Sequence, residues 1–331
     1  MPMTPVPAVT LTPVAHFPEK YFLENLAVRA DGSVLITAVL QKELWYVSAS
    51  ESGAEVTPVL VHTFDHPVMG IAEAEPDVFI VCLSDGYTTH ESHLVRVDFN
   101  GWTPGKPVAP EVIFTFDDRV RALNGACMLG PGVMAIADCF ASPGQIWRVD
   151  LADGARSATA RIWLADDTMA WDPDSEVPPP PQPGINGVRY SPKTGYLYYT
   201  STAQKVFMRV PVDPATLDPA GHVEFVAAID KTDDFCLDED AGFAYVTRHR
   251  ANTVDRVPLA PRHGSEVRHI AGDPLDEVLI GPSSAAWRRG PDDRGRVAYV
   301  TTDGGTTAPP DGIVRKAALL RLELEPSDRP A

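Results

Sequence analysis

ALNGACMLGPGVMAIADCFASPGQIWRVDLADGARSATARIWLA, residues 122–165, holds four short apolar segments: ALNGACML (122–129), VMAIAD (133–138), QIWRVDL (145–151) and ARIWLA (160–165). Short turns rich in Gly, Pro and Asp separate them, which is the pattern of four antiparallel strands. The unit recurs along the chain with a spacing of about fifty residues. Second strands read VLITAV (34–39), VFIVCL (78–83), VMAIAD, YLYYTS (196–201), FAYVTR (243–248) and VAYVTT (297–302). Third strands read ELWYVS (43–48), HLVRVDF (93–99), QIWRVDL, KVFMRVPV (205–212), NTVDRVPL (252–259) and ALLRLEL (318–324). Fourth strands follow at 57–64, 111–116, 160–165, 223–229 and 266–271. A sixth is missing after ALLRLEL, and TLTPVAHF (10–17) has the character to supply it. The expectation is an all-β protein: one six-bladed β-propeller over 1–331, four antiparallel strands per blade, in which the strand at about 10–17 completes the blade formed by about 283–324.

Bulk composition agrees and narrows the partners. The chain has 331 residues, 44% of them hydrophobic, with 32 prolines and 24 glycines spread along it. A formal net charge of -17 repels phosphate backbones and anionic lipid, so neither nucleic acid nor membrane is expected as a partner. No apolar run approaches the roughly 20 residues of a spanning helix, and no leader pattern opens the sequence. The expected setting is cytoplasmic, as a monomer or weak homodimer acting on a small molecule. Cys82, Cys127, Cys139 and Cys236 form no CxxC pair and are expected to be free thiols in strands.

In a propeller, loops that lead into the innermost strands share one face with loops joining second to third strands, so a pocket is expected there. Polar residues mark the innermost strands: Glu24 in FLENLAV, Asn124 in ALNGACML, Asn186 in GINGVRY and Asp234 in TDDFCLD. Met69 in VMGIAE and Ser284 in PSSAAW hold the equivalent places in the other two blades. Two carboxylates and two amide oxygens converging on one axis are costly to bury without a cation, and hard divalent cations take such oxygen ligands.

These motifs resemble those of the family of gluconolactonase, senescence marker protein and luciferin-regenerating enzyme. That family has a Glu at the start of the first inner strand, Asn-Gly or Asn-Asp in the third blade, Ser-Asn-Gly in the fourth and Asp-Gly in the fifth. Here the positions are Glu24, Asn124 in LNGA, Asn186 in INGV and Asp234 in DDF. Two departures stand out: Arg121 lies one residue too far from Asn124, and Phe235 takes the place of the fifth-blade Gly. The phrases FLENLAVR, LNGACML, GINGVRY, DDF and VTTxGG are similar to the fungal branch of the superfamily, which accompanies natural-product pathways. The resemblance implies one divalent metal in the pore, usually Ca2+, with Mg2+, Mn2+ or Zn2+ as alternatives, held by Glu24, Asn124, Asn186 and Asp234. It implies hydrolysis of a lactone or related ester, and as the alternative a non-hydrolytic biosynthetic enzyme, such as a hetero-Diels-Alderase or an isomerase.

In the hydrolytic reading the metal polarises the carbonyl, and Asp234, or a water it orients, is nucleophile or general base, with Asp233 as the alternative. Met69, Tyr87, Trp171, Arg248, His249 and Ser284 are the expected substrate contacts, and Asp138 and His90 share their rim. The proline-rich stretch 166–184 is read as a lid carrying Met169 and Trp171. The histidines of HESH (90–93) are read as a solvated loop, since they lack the helical spacing of a zinc motif.

Overall fold

The computed structural model describes residues 8–50, 54–86, 88–172, 182–260 and 267–325. These form six four-stranded antiparallel sheets arranged as a ring, a six-bladed β-propeller. From the pore outward, blade 1 is Leu23–Val28, Val34–Ala38, Glu43–Val47 and Val59–Thr63. Blade 2 is Val68–Glu75, Val78–Ser84, Ser92–Asp98 and Glu111–Thr115; blade 3 is Leu123–Gly130, Val133–Asp138, Gly144–Ala152 and Ser157–Asp166. Blade 4 is Ile185–Ser191, Tyr196–Ser201, Val206–Pro211 and Glu224–Ala228; blade 5 is Thr232–Asp238, Phe243–Arg248, Thr253–Pro258 and Arg268–Gly272. Blade 6 is Pro282–Trp287, Val297–Thr302, Lys316–Leu324 and, outermost, Val9–Glu19.

The strand patterns follow from the layering. Second strands are sandwiched by neighbouring blades on both faces, so they read as continuous apolar runs and are buried throughout, as in Val34–Ala38 and Val78–Ser84. Outermost strands alternate instead: within Val59–Thr63 only Val61 is buried. The core therefore lies between blades. Ile80, Leu94, Met134, Ile136 and Trp147 fill the space between blades 2 and 3, and Tyr198, Phe207, Phe235 and Val246 fill that between blades 4 and 5. The ring closes through Val9–Glu19, whose register runs from Val9 opposite Leu324 to Glu19 opposite Lys316. The four cysteines are free, and burial holds the Cys82 and Cys127 thiols up at about 12.

One irregularity recurs in all six inner strands and positions the site. The pairing of each inner strand with its neighbour skips two residues near its start: between Leu23 and Leu26, Val68 and Ile71, Leu123 and Ala126, Ile185 and Val188, Thr232 and Phe235, and Pro282 and Ala285. Each skip is a bulge, which re-aims two side chains at the pore end of the blade. In four blades a threonine of the second strand holds the bulge. Thr37, Thr200, Thr247 and Thr301 accept from the N–H of Asn25, Gly187, Asp234 and Ser284 at 3.0 to 3.1 Å. Three of these hydroxyls also donate across the blade boundary: Thr200 to the Asp233 carbonyl, Thr247 to that of Ser283 at 2.9 Å, and Thr301 to that of Glu24 at 2.8 Å. Blades 2 and 3 carry Cys82 and Ala137 at the matching place, so their bulges lack this staple.

Candidate metal centre and substrate cavity

The bulges make two rings. The first residue of each bulge is Glu24, Met69, Asn124, Asn186, Asp233 or Ser283; the second is Asn25, Gly70, Gly125, Gly187, Asp234 or Ser284. The register therefore places Asp233, not Asp234, level with Glu24, Asn124 and Asn186, and Ser283 rather than Ser284 in blade 6. Both shifts have one cause. The ring residue stands two positions before the apolar residue at which pairing resumes, and in the doublets Asp233-Asp234 and Ser283-Ser284 either residue is polar enough to be mistaken for it. With this register the fifth-blade pair is Asp233-Asp234, so Asp234, not Phe235, occupies the place where blades 2, 3 and 4 carry glycine.

A cavity of about 500 Å3 opens over the first ring. Glu24, Met69, Asn124, Asn186 and Asp233 line its floor; Phe22, Leu40, Pro67 and Phe140 give it apolar walls, and Lys231, His249 and Arg250 bring positive or protonatable groups to one side. Glu24, Asn124, Asn186 and Asp233 are each no more than 6% exposed.

The polar inventory of the floor is incomplete. Asn124 Oδ1 and Asp233 Oδ1 are buried and make no hydrogen bond, while Asn186 Nδ2 donates to Thr202 Oγ1 at 3.2 Å, which turns its amide oxygen the other way. Burial, then the charges of Asp234 and Asp303, raises Glu24 to about 8. Burial and the charges of Glu24 and Asp234 likewise push Asp233 far above the ordinary carboxylate range. Two buried carboxylates repelling one another beside an unsatisfied amide oxygen are what a cation would relieve. The set is all oxygen, with no imidazole among the four, so the residues present fit a hard divalent ion such as Ca2+. Cys139 also lines the cavity, but burial raises its thiol, leaving it a neutral and weak nucleophile.

The second ring is tied to protein partners. Asp234 accepts through Oδ2 from Arg189 Nη2 and from Ser284 Oγ, the latter at 2.6 Å. Its Oδ1 has no hydrogen-bond partner and lies against the Gly187 backbone, where a Cβ would sit 2.3 Å from it. Gly125 is equally constrained, since its Cβ would come 2.5 Å from the Asn186 carbonyl. Neither glycine tolerates a side chain without parting the inner strands.

Of the expected substrate contacts, Met69 and His249 line the cavity. The His249 ring stacks on Phe22 at 5.3 Å between centroids and stands 3.1 Å from Asp303 through Nε2. Although burial opposes it, that imidazole and the backbone N–H groups of Gly305 and Thr307 hold Asp303 below the usual carboxylate range. Arg248 turns away, because its alternating place on the strand faces Asp230 and Asp255, with which it forms ion pairs. Ser284 is buried against Asp234, and Tyr87 lies outside the described residues. Asp138 is a structural acceptor: Arg121, Ala122, Gln145 and Trp147 all donate to it, and it has no exposed surface.

The 166–184 stretch is described only up to Asp172 and again from Gln182. Met169 is fully buried between blades 3 and 4 rather than poised over the pore. A single 3-10 turn, Asp167–Met169, capped by Asp166 accepting from Thr168 N, drives it inward. Trp171 is half-buried and sets its edge against the cavity-lining Phe140 at 5.4 Å. Sequence reading missed Asp303, hidden in the glycine-rich TTDGGTT, and Phe22, one of several aromatics near Glu24. The threonine that precedes Ser201, Arg248 and Thr302 in three second strands was visible, but its role requires the bulge register.

The propeller has counterparts among known structures. The fold is that of luciferin-regenerating enzyme and regucalcin. The chain superimposes on a luciferin-regenerating enzyme with a TM-score of 0.67 at 13% identity, over 96% of this chain and 95% of the other. A calcium-binding regucalcin from Agrobacterium tumefaciens gives 0.62 at 17% identity, over 94% of each chain. The PQQ-bound aldose sugar dehydrogenase of Streptomyces coelicolor gives 0.63 at 14% identity, over 98% of this chain and all of the other. At the level of sequence no protein-family model matches the chain, and no curated protein matches it. Identities this low establish the shared propeller; chemistry has to be argued from the residues.

Proposed function

We propose that the protein is a divalent-cation-assisted hydrolase of a lactone or related cyclic ester with an apolar body. One observation carries the reading: buried Glu24 and Asp233, together with the unpartnered Asn124 Oδ1, line a cavity that also has apolar walls of Phe22, Leu40, Met69 and Phe140. Glu24, Asn124, Asn186 and Asp233 would hold the cation, and a bound Ca2+ would supply Lewis-acid polarisation of the ester carbonyl. The calcium-binding regucalcin with the same fold supports the choice of ion.

The chain's own groups account for the rest of the chemistry. Phe22, Leu40, Met69 and Phe140 exclude water from the substrate body and orient its ring. Asp233 takes the proton of the attacking water at its carboxylate. His249, oriented by Asp303, returns a proton to the departing alkoxide. Charge that develops on the substrate meets Lys231 and Arg250 at the same side of the mouth.

The same apolar walls favour a second reading, in which the cavity orients the reacting partners of a pericyclic or isomerising step and no proton need move. The two separate on one experiment. Protein stripped by chelation and reloaded with Ca2+, Mg2+, Mn2+ or Zn2+ is offered a panel of aldonolactones, macrocyclic lactones and aryl esters. Cation-dependent ring opening that disappears in Asp233→Asn supports the hydrolase. Turnover of a polyene substrate that survives both chelation and Asp233→Asn would overturn it in favour of the second.

A further inference from the structure

Outside the pore, a second group of ligand-type side chains converges on blade 2. One ligand atom from each of His66, Glu91 and His93 lies within 4.8 Å of the other two. His66 Nε2 is 3.8 Å from Glu91 Oε2, and the two imidazoles approach to 5.0 Å between centroids, tilted by 45°. His93 Nδ1 is engaged with Thr115 Oγ1 at 3.0 Å, which leaves Nε2 as its outward ligand atom. A ring nitrogen fixed on a neighbouring acceptor while the other faces the ion is the usual arrangement of a metal-bound histidine.

We infer that His66, Glu91 and His93 form a second cation site, selective for a borderline transition ion such as Zn2+ and separate from the all-oxygen pore site. Two imidazoles and one carboxylate are a nitrogen-rich set that hard Ca2+ and Mg2+ disfavour and Zn2+ prefers. Small rotations of the three side chains bring the ligand atoms to the roughly 2.0–2.1 Å bonds of tetrahedral zinc, with a fourth position open to water.

The position of the cluster suggests what the ion does. His66 belongs to the connector between blades 1 and 2, next to the cavity-lining Pro67, whose carbonyl accepts from Ser84 N at 2.9 Å. Glu91 and His93 flank Ser92, whose hydroxyl pairs with that of the cavity-lining Ser84 at 2.8 Å. An ion bridging the three would clamp the connector to the start of the third strand of blade 2 and stiffen that side of the cavity mouth.

Zinc titration by calorimetry, with the pore saturated by millimolar Ca2+, tests the inference. One equivalent of Zn2+ should bind to the wild type and to a Glu24→Gln, Asp233→Asn double variant. His66→Ala and His93→Ala should each weaken it by at least about 100-fold, and Thr115→Val, which removes only the orienting hydroxyl, by about 10-fold. Co2+ substituted for Zn2+ should give a visible ligand-field band in the pore double variant and lose it in His66→Ala. Far-ultraviolet circular dichroism verifies that each variant is folded, and His66→Gln replaces any that is not. The inference is overturned if the wild type takes up no zinc, if uptake survives both histidine substitutions, or if it disappears with the pore carboxylates.

Discussion

The cavity-side ring and the ring directly behind it are built from adjacent residues, yet the fold gives their charges different partners. Asp233 and Asp234 share a peptide bond, a bulge and near-complete burial. Asp234 is matched by an arginine and a serine that the fold provides. Each keeps an Oδ1 without a hydrogen-bond partner, but Asp233 lines the cavity and has the like charges of Glu24 and Asp234 as neighbours, whereas Asp234 is paired with Arg189. One carboxylate consolidates the pore; the other costs stability until something arrives from outside. Function is therefore expected where the protein has left buried charge uncompensated, and the neighbouring charge, equally buried, is architectural.

Exchanging the roles of the two aspartates is the strongest way to break this comparison. Asp233→Ala should lower kcat/KM on the hydrolysed ester by about 1,000-fold and abolish the heat of Ca2+ binding, while the melting temperature of cation-free protein stays level or rises. Asp234→Ala should do the reverse. Loss of a buried pair strands Arg189 and should cost about 3 kcal/mol in urea unfolding, with Ca2+ affinity held within tenfold. If Asp234→Ala removes Ca2+ binding from protein that is still folded, the assignment of the rings is wrong.

The pH dependence sharpens the same contrast. Glu24, raised from 4.5 to about 8 by burial and its acidic neighbours, keeps a proton in the folded state that the unfolded chain releases. Its contribution is fully present below about 4.5 and is lost as pH rises towards about 8. Cation-free protein should therefore lose on the order of 4 kcal/mol between pH 5 and pH 8, as read from urea midpoints, and saturating Ca2+ at pH 8 should restore it. The smallest effect concerns the staples. Thr247→Val leaves the Asp234 N–H and the Ser283 carbonyl without their shared partner, and should cost about 1 kcal/mol. Ala137→Ser in blade 3, which has no staple to lose, should change unfolding by less.

The fold was legible because each blade repeats the same strand sequence: buried second strands are continuous, outer strands alternate, and TLTPVAHF had no partner other than the last blade. Asn124 and Asn186 were legible as ring members because each is the lone polar side chain before a glycine, and Glu24 because it is the acidic member of its Glu24-Asn25 pair. The doublets Asp233-Asp234 and Ser283-Ser284 were not, since a bulge moves the alternation by one and only pairing with Thr247 and Thr301 fixes the phase. Arg248 misled because strand alternation, invisible without that phase, sends it to Asp255. HESH read as a solvated loop because its histidines lack helical spacing, whereas His93 lies in the strand Ser92–Asp98, and packing of the connector between blades 1 and 2 brings His66 to it.

Closure of the ring by Val9–Glu19 also sets which parts of the chain must be ordered together. That strand pairs with Lys316–Leu324, and Glu24 is held by Thr301, 277 residues further along. Contacts of such long range form slowly, because the intervening chain must be ordered before they repay their loop entropy. On the ribosome, blade 1 would emerge with Glu24 unanchored, and only docking of the last blade would bring Thr301 to its carbonyl. A chain that lacks the last blade would leave the Glu24 carbonyl without the Thr301 hydroxyl that holds it.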